Sequence, residues 1–295
     1  MAPPRYVETL CQSALNRVQG MPFRWSLNPY GGCRHGCGYC YARRYHEWHG
    51  LTAGDFDRVL FVKTNVAQVL RRELGRRSWR RESVALGTAT DPYQPAEGRY
   101  RLTRACLEAF RDYASPVGIT TKGTLIVRDL DVLRDLDSLV EVHISVITLD
   151  SALAWRLEPG APAPARRLAA VERLAAAGVA CSVFIAPVLP GLTDGEQALR
   201  ELFRACAQAG ARAVHVMPLR LQGSVKPYFL ARLQAEFPHL VAAYRRGYAQ
   251  GSEAPAEYRQ RLRERVTVAK VLAGLAAPPP RPAGPRPGQQ LALPE

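Results

Sequence analysis

Three cysteines stand close enough along the chain to bind one metal centre together. Cys33, Cys37 and Cys40 follow the spacing C-x3-C-x2-C. This short loop offers three thiolates, one fewer than the four that normally hold an iron–sulfur cluster. A [4Fe–4S] cluster held by three cysteines keeps one iron open to a substrate or cofactor. The spacing therefore favours chemistry at that open iron over simple electron transfer.

Two other uses of these cysteines were weighed against a cluster. A structural zinc site needs four closed ligands, and His35 or His46 could supply the fourth. A disulfide framework fits poorly because the chain has seven cysteines, an odd number for pairing. The remaining four are scattered singly, and we interpret them as small apolar residues of the core: Cys11, Cys106, Cys181 and Cys206.

The cysteine loop resembles that of the radical S-adenosylmethionine (SAM) enzymes. The segment from Asn28-Pro-Tyr-Gly-Gly-Cys33 to Cys40-Tyr-Ala-Arg43 is similar to the branch related to spore photoproduct lyase. The resemblance implies that the open iron binds SAM, which is reductively cleaved to methionine and a 5′-deoxyadenosyl radical. It also implies a one-electron donor of the flavodoxin or ferredoxin type.

The resemblance assigns polar side chains to the two ends of the methionine part of SAM. In the segment Gly87-Thr-Ala-Thr-Asp91, the residues Thr88, Thr90 and Asp91 would hold the amino group. Small residues and hydroxyls at the end of a strand can approach such a group closely. Lys122, which ends another apolar run, would contact the carboxylate as a point charge.

Other residues are assigned to the remainder of the cofactor. The resemblance implies that Ser145 donates a hydrogen bond to SAM and that Glu158 positions the ribose. Tyr39 would pack near the adenine, because its ring supplies a stacking face. The backbone at Ala186 would line the same pocket. His143, two residues before Ser145, is interpreted as structural.

The resemblance departs from the family at Thr88. Tyr41 matches a tyrosine that takes part in radical transfer in spore photoproduct lyases, so it is the candidate catalytic residue. Those lyases also carry a cysteine in this segment, which returns hydrogen to the product radical, and its place here is held by Thr88. A hydroxyl O–H bond is too strong to replace that thiol. Repair of the spore thymine dimer is therefore not expected.

The order of apolar and helical patterns predicts how these residues are positioned. Strand-like runs cover 23–27, 83–86, 117–121, 140–147, 179–186 and 213–217, with helical patterns between them. Repeated strand–helix units imply parallel strands with right-handed crossovers. Six units predict an α/β fold, a partial (β/α)6 TIM-like barrel of the radical SAM type. Such barrels carry their chemistry on loops at the carboxyl ends of the strands, and the cysteine loop follows the first strand.

We divide the chain into four segments. Residues 1–20 form an N-terminal arm, 21–222 the radical SAM core and 223–275 a helical, basic extension in which Ala256–Leu272 reads as a helix. The extension interleaves aromatic and basic residues. Residues 276–295 are rich in proline and are expected to be disordered.

The overall charge points to a polyanionic partner. Lys and Arg number 40 against 26 Asp and Glu, a formal net charge of +14. Such a surface attracts DNA or RNA, although an arginine-rich composition explains the charge as well. Arg43 and Arg44 could aid the approach of an anion, but an ordinary exposed face explains them as well. No apolar run reaches about eighteen residues, so no membrane span is expected. Free thiols and an oxygen-sensitive cluster indicate the cytoplasm.

Three functional hypotheses follow from these observations. The first is a radical SAM enzyme, lyase-like or of another reaction type, that acts on DNA or RNA. The second is a radical SAM enzyme that acts on a protein or a small molecule. The third is a non-catalytic iron–sulfur or zinc protein that binds nucleic acid.

Overall fold

The computed structural model describes residues 3–275. Within this range the chain forms ten strands and ten α-helices, numbered along the chain. The strands are β1 (Arg5–Thr9), β2 (Leu15–Arg17), β3 (Trp25–Leu27), β4 (Tyr30–Gly31), β5 (Val59–Lys63), β6 (Val84–Leu86), β7 (Val117–Thr121), β8 (Val140–Ser145), β9 (Cys181–Val188) and β10 (Val214–Pro218).

The α-helices are α1 (Val66–Leu74), α2 (Ala96–Tyr100), α3 (Leu102–Asp112), α4 (Leu130–Leu136), α5 (Ser151–Leu157), α6 (Pro164–Ala176), α7 (Glu196–Gln208), α8 (Val225–Glu236), α9 (Val241–Gly247) and α10 (Ala256–Leu272). Short 3-10 helices cover Tyr41–His49, Ala53–Asp55, Thr124–Asp129, Asp137–Leu139 and Pro238–Leu240.

The main sheet contains six strands that run parallel to one another. Its spatial order is β10-β9-β8-β7-β6-β3-β2, and each neighbouring pair from β3 to β10 is parallel. The predicted α/β fold, a partial barrel of six parallel strands, is confirmed. β2 pairs antiparallel with β3 and closes one edge. Residues 1–20 thus contribute to sheets: β2 extends this one, and β1 joins β5 and β4 in a three-stranded sheet.

The two faces of the main sheet differ in chemistry. On β8, Val140, Val142 and Ile144 belong to the large apolar core together with Val171 and Leu174 of α6. Side chains alternate along a strand, so the residues between them point to the opposite, concave face. The concave-face residues of β8 are Glu141, His143 and Ser145.

The carboxyl-terminal helices pack against the loops of the barrel. A second apolar core joins the cysteine loop to α8 and α9 through Cys37, Tyr39, Phe229, Tyr244 and Tyr248, among others. The aromatic residues of this basic extension are therefore largely internal and not a surface for stacking bases. The predicted disorder of 276–295 falls on residues outside the described range. No helix in residues 3–275 is long and apolar enough to span a bilayer.

Candidate metal and cofactor site

The cysteine loop begins at a glycine that no other residue could replace without movement of the backbone. Gly32 has a φ of +75°, in the left-handed region, and a Cβ there would lie 2.7 Å from the carbonyl oxygen of Val59. This close approach lets the N–H of Cys33 donate a 2.9 Å hydrogen bond to the carbonyl of Phe56. The first thiol is therefore fixed against the segment that leads into β5.

The three loop cysteines are free thiols in a largely buried setting. Cys33 and Cys37 are each 7% exposed, and Cys40 is half-buried. Within residues 3–275, the three thiols do not form a group whose sulfur atoms all lie within 4.8 Å of one another.

The two histidines considered as a fourth zinc ligand are both turned toward other partners. His35 is 2% exposed, and its Nδ1 lies 3.2 Å from Oδ2 of Asp91. His46 places Nε2 2.9 Å from the carbonyl oxygen of Val59. The zinc alternative therefore loses the support of its proposed fourth ligand.

Arg43 lies beneath the cysteine loop and not on the surface, so the expectation of an exposed Arg43 is wrong. Its side chain is fully buried. The guanidinium donates to the carbonyl oxygens of Cys37 (2.9 Å), Gly36 (2.8 Å) and Ala53 (2.7 Å). It also pairs with Asp57 at 3.1 Å. Because five donors in one rigid plane can satisfy several carbonyls at once, this arginine organises the loop.

A buried carboxylate, Glu158, connects the loop to the strands. It is 1% exposed, pairs with Arg167 at 2.5 Å and accepts a short hydrogen bond from the hydroxyl of Tyr39. Lys122 Nζ lies 3.7 Å from the same carboxylate. Burial acts to raise the pKa of Glu158, but the charges of Arg167 and Lys122 outweigh it and hold that pKa below its usual value. Glu158 is thus an ionised carboxylate that contacts Tyr39, Lys122 and Arg167.

Lys122 faces the cysteine loop from the end of β7. Burial acts to lower the pKa of its ammonium, but interaction with Cys37 and Glu158 raises that pKa to about 12. Burial raises the pKa of the Cys37 thiol to about 12, and the charge of Lys122 opposes that shift. Metal binding to such thiols displaces their protons. A positive charge therefore stands beside the place where a metal centre would be held.

The loop after β6 uses its polar side chains within the protein. Asp91 accepts hydrogen bonds from the hydroxyl of Thr121 (2.5 Å) and from the backbone N–H groups of Lys122 (2.7 Å) and Tyr93 (2.9 Å). Burial acts to raise the pKa of Asp91, but His35 and these hydrogen bonds hold it at about 2. Asp91 is thus ionised and engaged, and its contact with SAM stays a prediction.

Thr90 is engaged in the same way. It is 8% exposed, and its hydroxyl donates to the carbonyl of Gly32 at 2.5 Å. The same hydroxyl accepts a 2.9 Å hydrogen bond from Gln94. Thr90 therefore joins the loop after β6 to the glycine that precedes the first cysteine.

The structure brings Tyr41 and Thr88 together. Tyr41 is 45% exposed at the rim of the loop, and its hydroxyl donates a short hydrogen bond to the carbonyl oxygen of Thr88. The hydroxyl of Thr88 accepts a 3.2 Å hydrogen bond from Asn28. The candidate radical-transfer residue thus contacts Thr88, which the resemblance predicts to stand where lyases carry a thiol.

Ser145 and Ala186 lie at the same end of the sheet as the loop. Ser145 is the last residue of β8, is 4% exposed and pairs with Phe184 of β9. Ala186 follows two residues later on β9, and its peptide bond to Pro187 is cis. Tyr39, Lys122, Ser145 and Ala186 thus surround the carboxyl ends of β7, β8 and β9.

Sequence reasoning missed the two arginines that hold this site. Arg43 and Arg167 donate, respectively, to the carbonyls of the cysteine loop and to the carbonyl of Ser145, the latter at 3.1 Å. Arg167 lies on α6 in a basic stretch that reads like a solvated helix face. A buried arginine has no sequence signal of its own, because its partners are distant along the chain.

Comparison with known proteins agrees with this geometry. Residues 27–203 match the family model described as the radical SAM superfamily. An uncharacterised protein of Mycobacterium tuberculosis is 47% identical over 282 residues, which cover 92% of this chain and 83% of that protein. A radical SAM Nalpha-GlyT isomerase of Pseudomonas phage M6 is 26% identical, over 71% of this chain and 42% of that protein.

A solved structure shares the fold. A spore photoproduct lyase with bound AdoMet and dinucleoside spore photoproduct superposes with a TM-score of 0.66 at 15% sequence identity. The match covers 92% of this chain and 80% of that chain. At this sequence identity the likeness shows that the two proteins share a fold. The cysteine loop and the strand ends described above are parts of that fold in this chain.

Proposed function

This chain belongs to the radical SAM superfamily, and we propose that it holds a [4Fe–4S] cluster on Cys33, Cys37 and Cys40. When bound and reduced, such a cluster supplies the electron that cleaves SAM to methionine and a 5′-deoxyadenosyl radical. The observation that carries the proposal is the set of three free thiols on one loop, with the charged Lys122 and Glu158 at the adjoining strand end. No fourth protein ligand is needed, since the open iron is the site for SAM.

The residues around the loop would bind and orient SAM. Lys122 offers an ammonium that stays charged, which suits the carboxylate of the methionine part. Glu158 holds that ammonium in place from 3.7 Å. Ser145 lies at the neighbouring strand end, and its hydroxyl can donate to the cofactor. Tyr39 presents an apolar ring beside Cys37.

The proposed reaction differs from thymine-dimer repair in how the product radical receives its hydrogen. Cys106 and Cys181, two thiols outside the cysteine loop, are 0% and 2% exposed within the large apolar core. Neither replaces a thiol at Thr88. We therefore propose a lyase-like or rearrangement reaction in which Tyr41, hydrogen-bonded to Thr88, is the group that would relay a radical.

A nucleic acid is the substrate class that the surface supports. Tyr41 and Tyr45 contact each other edge to face at 6.4 Å, and Tyr45 lies 4.9 Å from Trp48. Trp48 is 80% exposed, and Arg44 lies over the ring of Tyr45 at 5.1 Å. Exposed rings beside cations are the usual means of binding unpaired bases. We also propose a flavodoxin- or ferredoxin-type electron donor and a place in the cytoplasm.

The test is reductive cleavage of SAM. Protein reconstituted with iron and sulfide under anaerobic conditions, then reduced, should release 5′-deoxyadenosine, measured by mass spectrometry. Cys37→Ala should lose both the cluster absorption and this product, whereas Cys11→Ala, at a half-buried cysteine outside the loop, should keep both. Cluster-loaded wild-type protein that makes no 5′-deoxyadenosine would refute the proposal. Retained cleavage in Cys37→Ala would refute the ligand assignment.

A further inference from the structure

A second group of ligand-type side chains lies on the concave face of the main sheet. Glu141 and His143 stand two residues apart on β8, and His215 stands on β10. Between them, Phe184 of β9 stacks on His143 with ring centroids 4.3 Å apart. The aromatic ring thus fills the space between the two strands and orients the imidazole.

The ligand atoms of these three residues converge. One carboxylate oxygen of Glu141 and one ring nitrogen from each histidine all lie within 4.8 Å of one another. Nε2 of His143 is 3.9 Å from Oε1 of Glu141. Two ligands of a tetrahedral ion with bonds of 2.1 Å would be about 3.4 Å apart, so small side-chain rotations would close the set around one ion.

The ligand types select a particular class of metal. Two imidazoles and one carboxylate form the set that holds catalytic zinc and non-haem iron, with further coordination positions left open. Hard ions such as magnesium prefer oxygen ligands alone. The set contains no sulfur, so its chemistry differs from that of the cysteine loop.

The position of the group gives it access to the interior of the barrel. The register aligns Ser145, Phe184 and His215 in one row across β8, β9 and β10. His143 lies two residues before Ser145, about 7 Å along the strand. β10 is the edge strand, and His215 is exposed, so an ion can enter from solvent.

We propose that Glu141, His143 and His215 bind a divalent first-row transition-metal ion on the concave face, one row below the strand ends. Its open positions face the barrel interior, where they can take an oxygen ligand from a bound substrate. The proposal goes beyond the radical chemistry and does not depend on it, because it rests on residues of β8 and β10 outside the cysteine loop.

Zinc is the probe, added to protein reconstituted with iron and sulfide and, separately, to a Cys33→Ala/Cys37→Ala/Cys40→Ala variant that has no loop thiols. After gel filtration, metal analysis should find one zinc per chain in addition to iron. X-ray absorption at the zinc edge should show nitrogen and oxygen ligands only. Failure to retain zinc, or zinc bound to sulfur, would overturn the proposal. Neither measurement depends on SAM cleavage, and the variant without loop thiols needs no cluster, so either proposal can fail alone.

Variants then assign the ligands. His215→Ala and His143→Ala should each weaken zinc binding at least about tenfold, because even outer contacts to a metal are worth that much. His239→Ala, at an exposed histidine of the carboxyl-terminal region, is the matched control and should leave binding unchanged. Circular dichroism and iron content identify any variant that misfolds. Unchanged affinity in folded His215→Ala would exclude His215 as a ligand and contradict the proposal.

Discussion

At the scale of single residues, Arg43 shows how a loop of three cysteines can be held open before any metal is bound. Its guanidinium donates to the carbonyls of Gly36, Cys37 and Ala53. It also lies 4.4 Å from the ring of Tyr228 on α8. Contacts of Arg43 thus hold the backbone of the cysteine loop, so the proposed cluster would not have to order the loop alone.

Replacement of this arginine tests that role. Arg43→Lys keeps the charge but offers one ammonium where the structure uses a planar fork, so at least two carbonyls lose their donors. Each unsatisfied buried carbonyl costs about 1–3 kcal/mol. We expect reconstituted Arg43→Lys to hold less than half of the wild-type iron, measured by iron analysis and cluster absorption.

Arg44→Lys is the matched control, because Arg44 lies on the same short helix and its side chain contacts Tyr45 and Gln222. Its iron content should equal that of the wild type. Full cluster occupancy in Arg43→Lys would show that the loop does not depend on the fork.

At the scale of elements, the end of α5 is clamped onto the cysteine loop. The N–H of Gly38 donates to the carbonyl of Leu157 at 2.9 Å, and the N–H of Gly160 donates to the carbonyl of His35 at 3.0 Å. Glu158 stands between these two bonds and carries the ion pairs to Arg167 and Lys122. These contacts join β7, α5 and α6 to the cysteine loop.

Removal of the charge at Glu158 should loosen this clamp. Glu158→Gln leaves Arg167 and Lys122 buried without their counter-ion, which typically lowers the free energy of unfolding by about 3–5 kcal/mol. Urea unfolding of the protein checks this value. Glu196→Gln, which breaks the exposed pair between Glu196 and Arg200, should cost less than about 0.5 kcal/mol. Equal losses in the two variants would mean that the clamp does not stabilise the fold.

The order of the six parallel strands, β3 and β6 to β10, could be predicted from the sequence because each of them carries its own local signal. Val117–Thr121 reads as a strand from its apolar run alone, and the structure keeps those bounds. The pairing of β1 with β5 could not be read in this way, since Arg5 lies opposite Val59 and no local pattern links them. β1 is the edge strand of this three-stranded sheet, and nothing in its sequence distinguishes it from a loop.

The candidate site was likewise predictable only where its residues are close together in the sequence. Cys33, Cys37 and Cys40 share one loop, so their spacing alone predicts that they bind one metal centre together. Glu158 was predicted to position a ribose, yet its observed partners include Tyr39, 119 residues away. Contacts of this range depend on the closed fold and leave no trace in local spacing.

At the scale of the whole molecule, the charge of +14 is unevenly used. Several arginines of α10 are committed within the protein: Arg259 pairs with Glu253 at 2.8 Å, and Arg265 donates to the carbonyl of Asp194 at 2.9 Å. The aromatic residues of α8 and α9 lie in the core. One surface that combines exposed rings with a cation is the rim formed by Tyr41, Tyr45 and Trp48 beside Arg44.

If this rim binds nucleic acid, the logarithm of the association constant for single-stranded DNA should fall linearly with the logarithm of salt concentration, with a slope of about −0.7 per phosphate contact. Trp48→Ala should weaken binding by about 1–3 kcal/mol, the usual worth of one stacked base, without changing that slope. Trp155→Ala, at a tryptophan 69% exposed on α5, is the matched control and should bind as the wild type does. Fluorescence anisotropy at several salt concentrations measures both quantities. An affinity that does not change with salt concentration, or that falls equally in both variants, would argue against a nucleic-acid surface at the rim. It would favour a protein or small-molecule substrate.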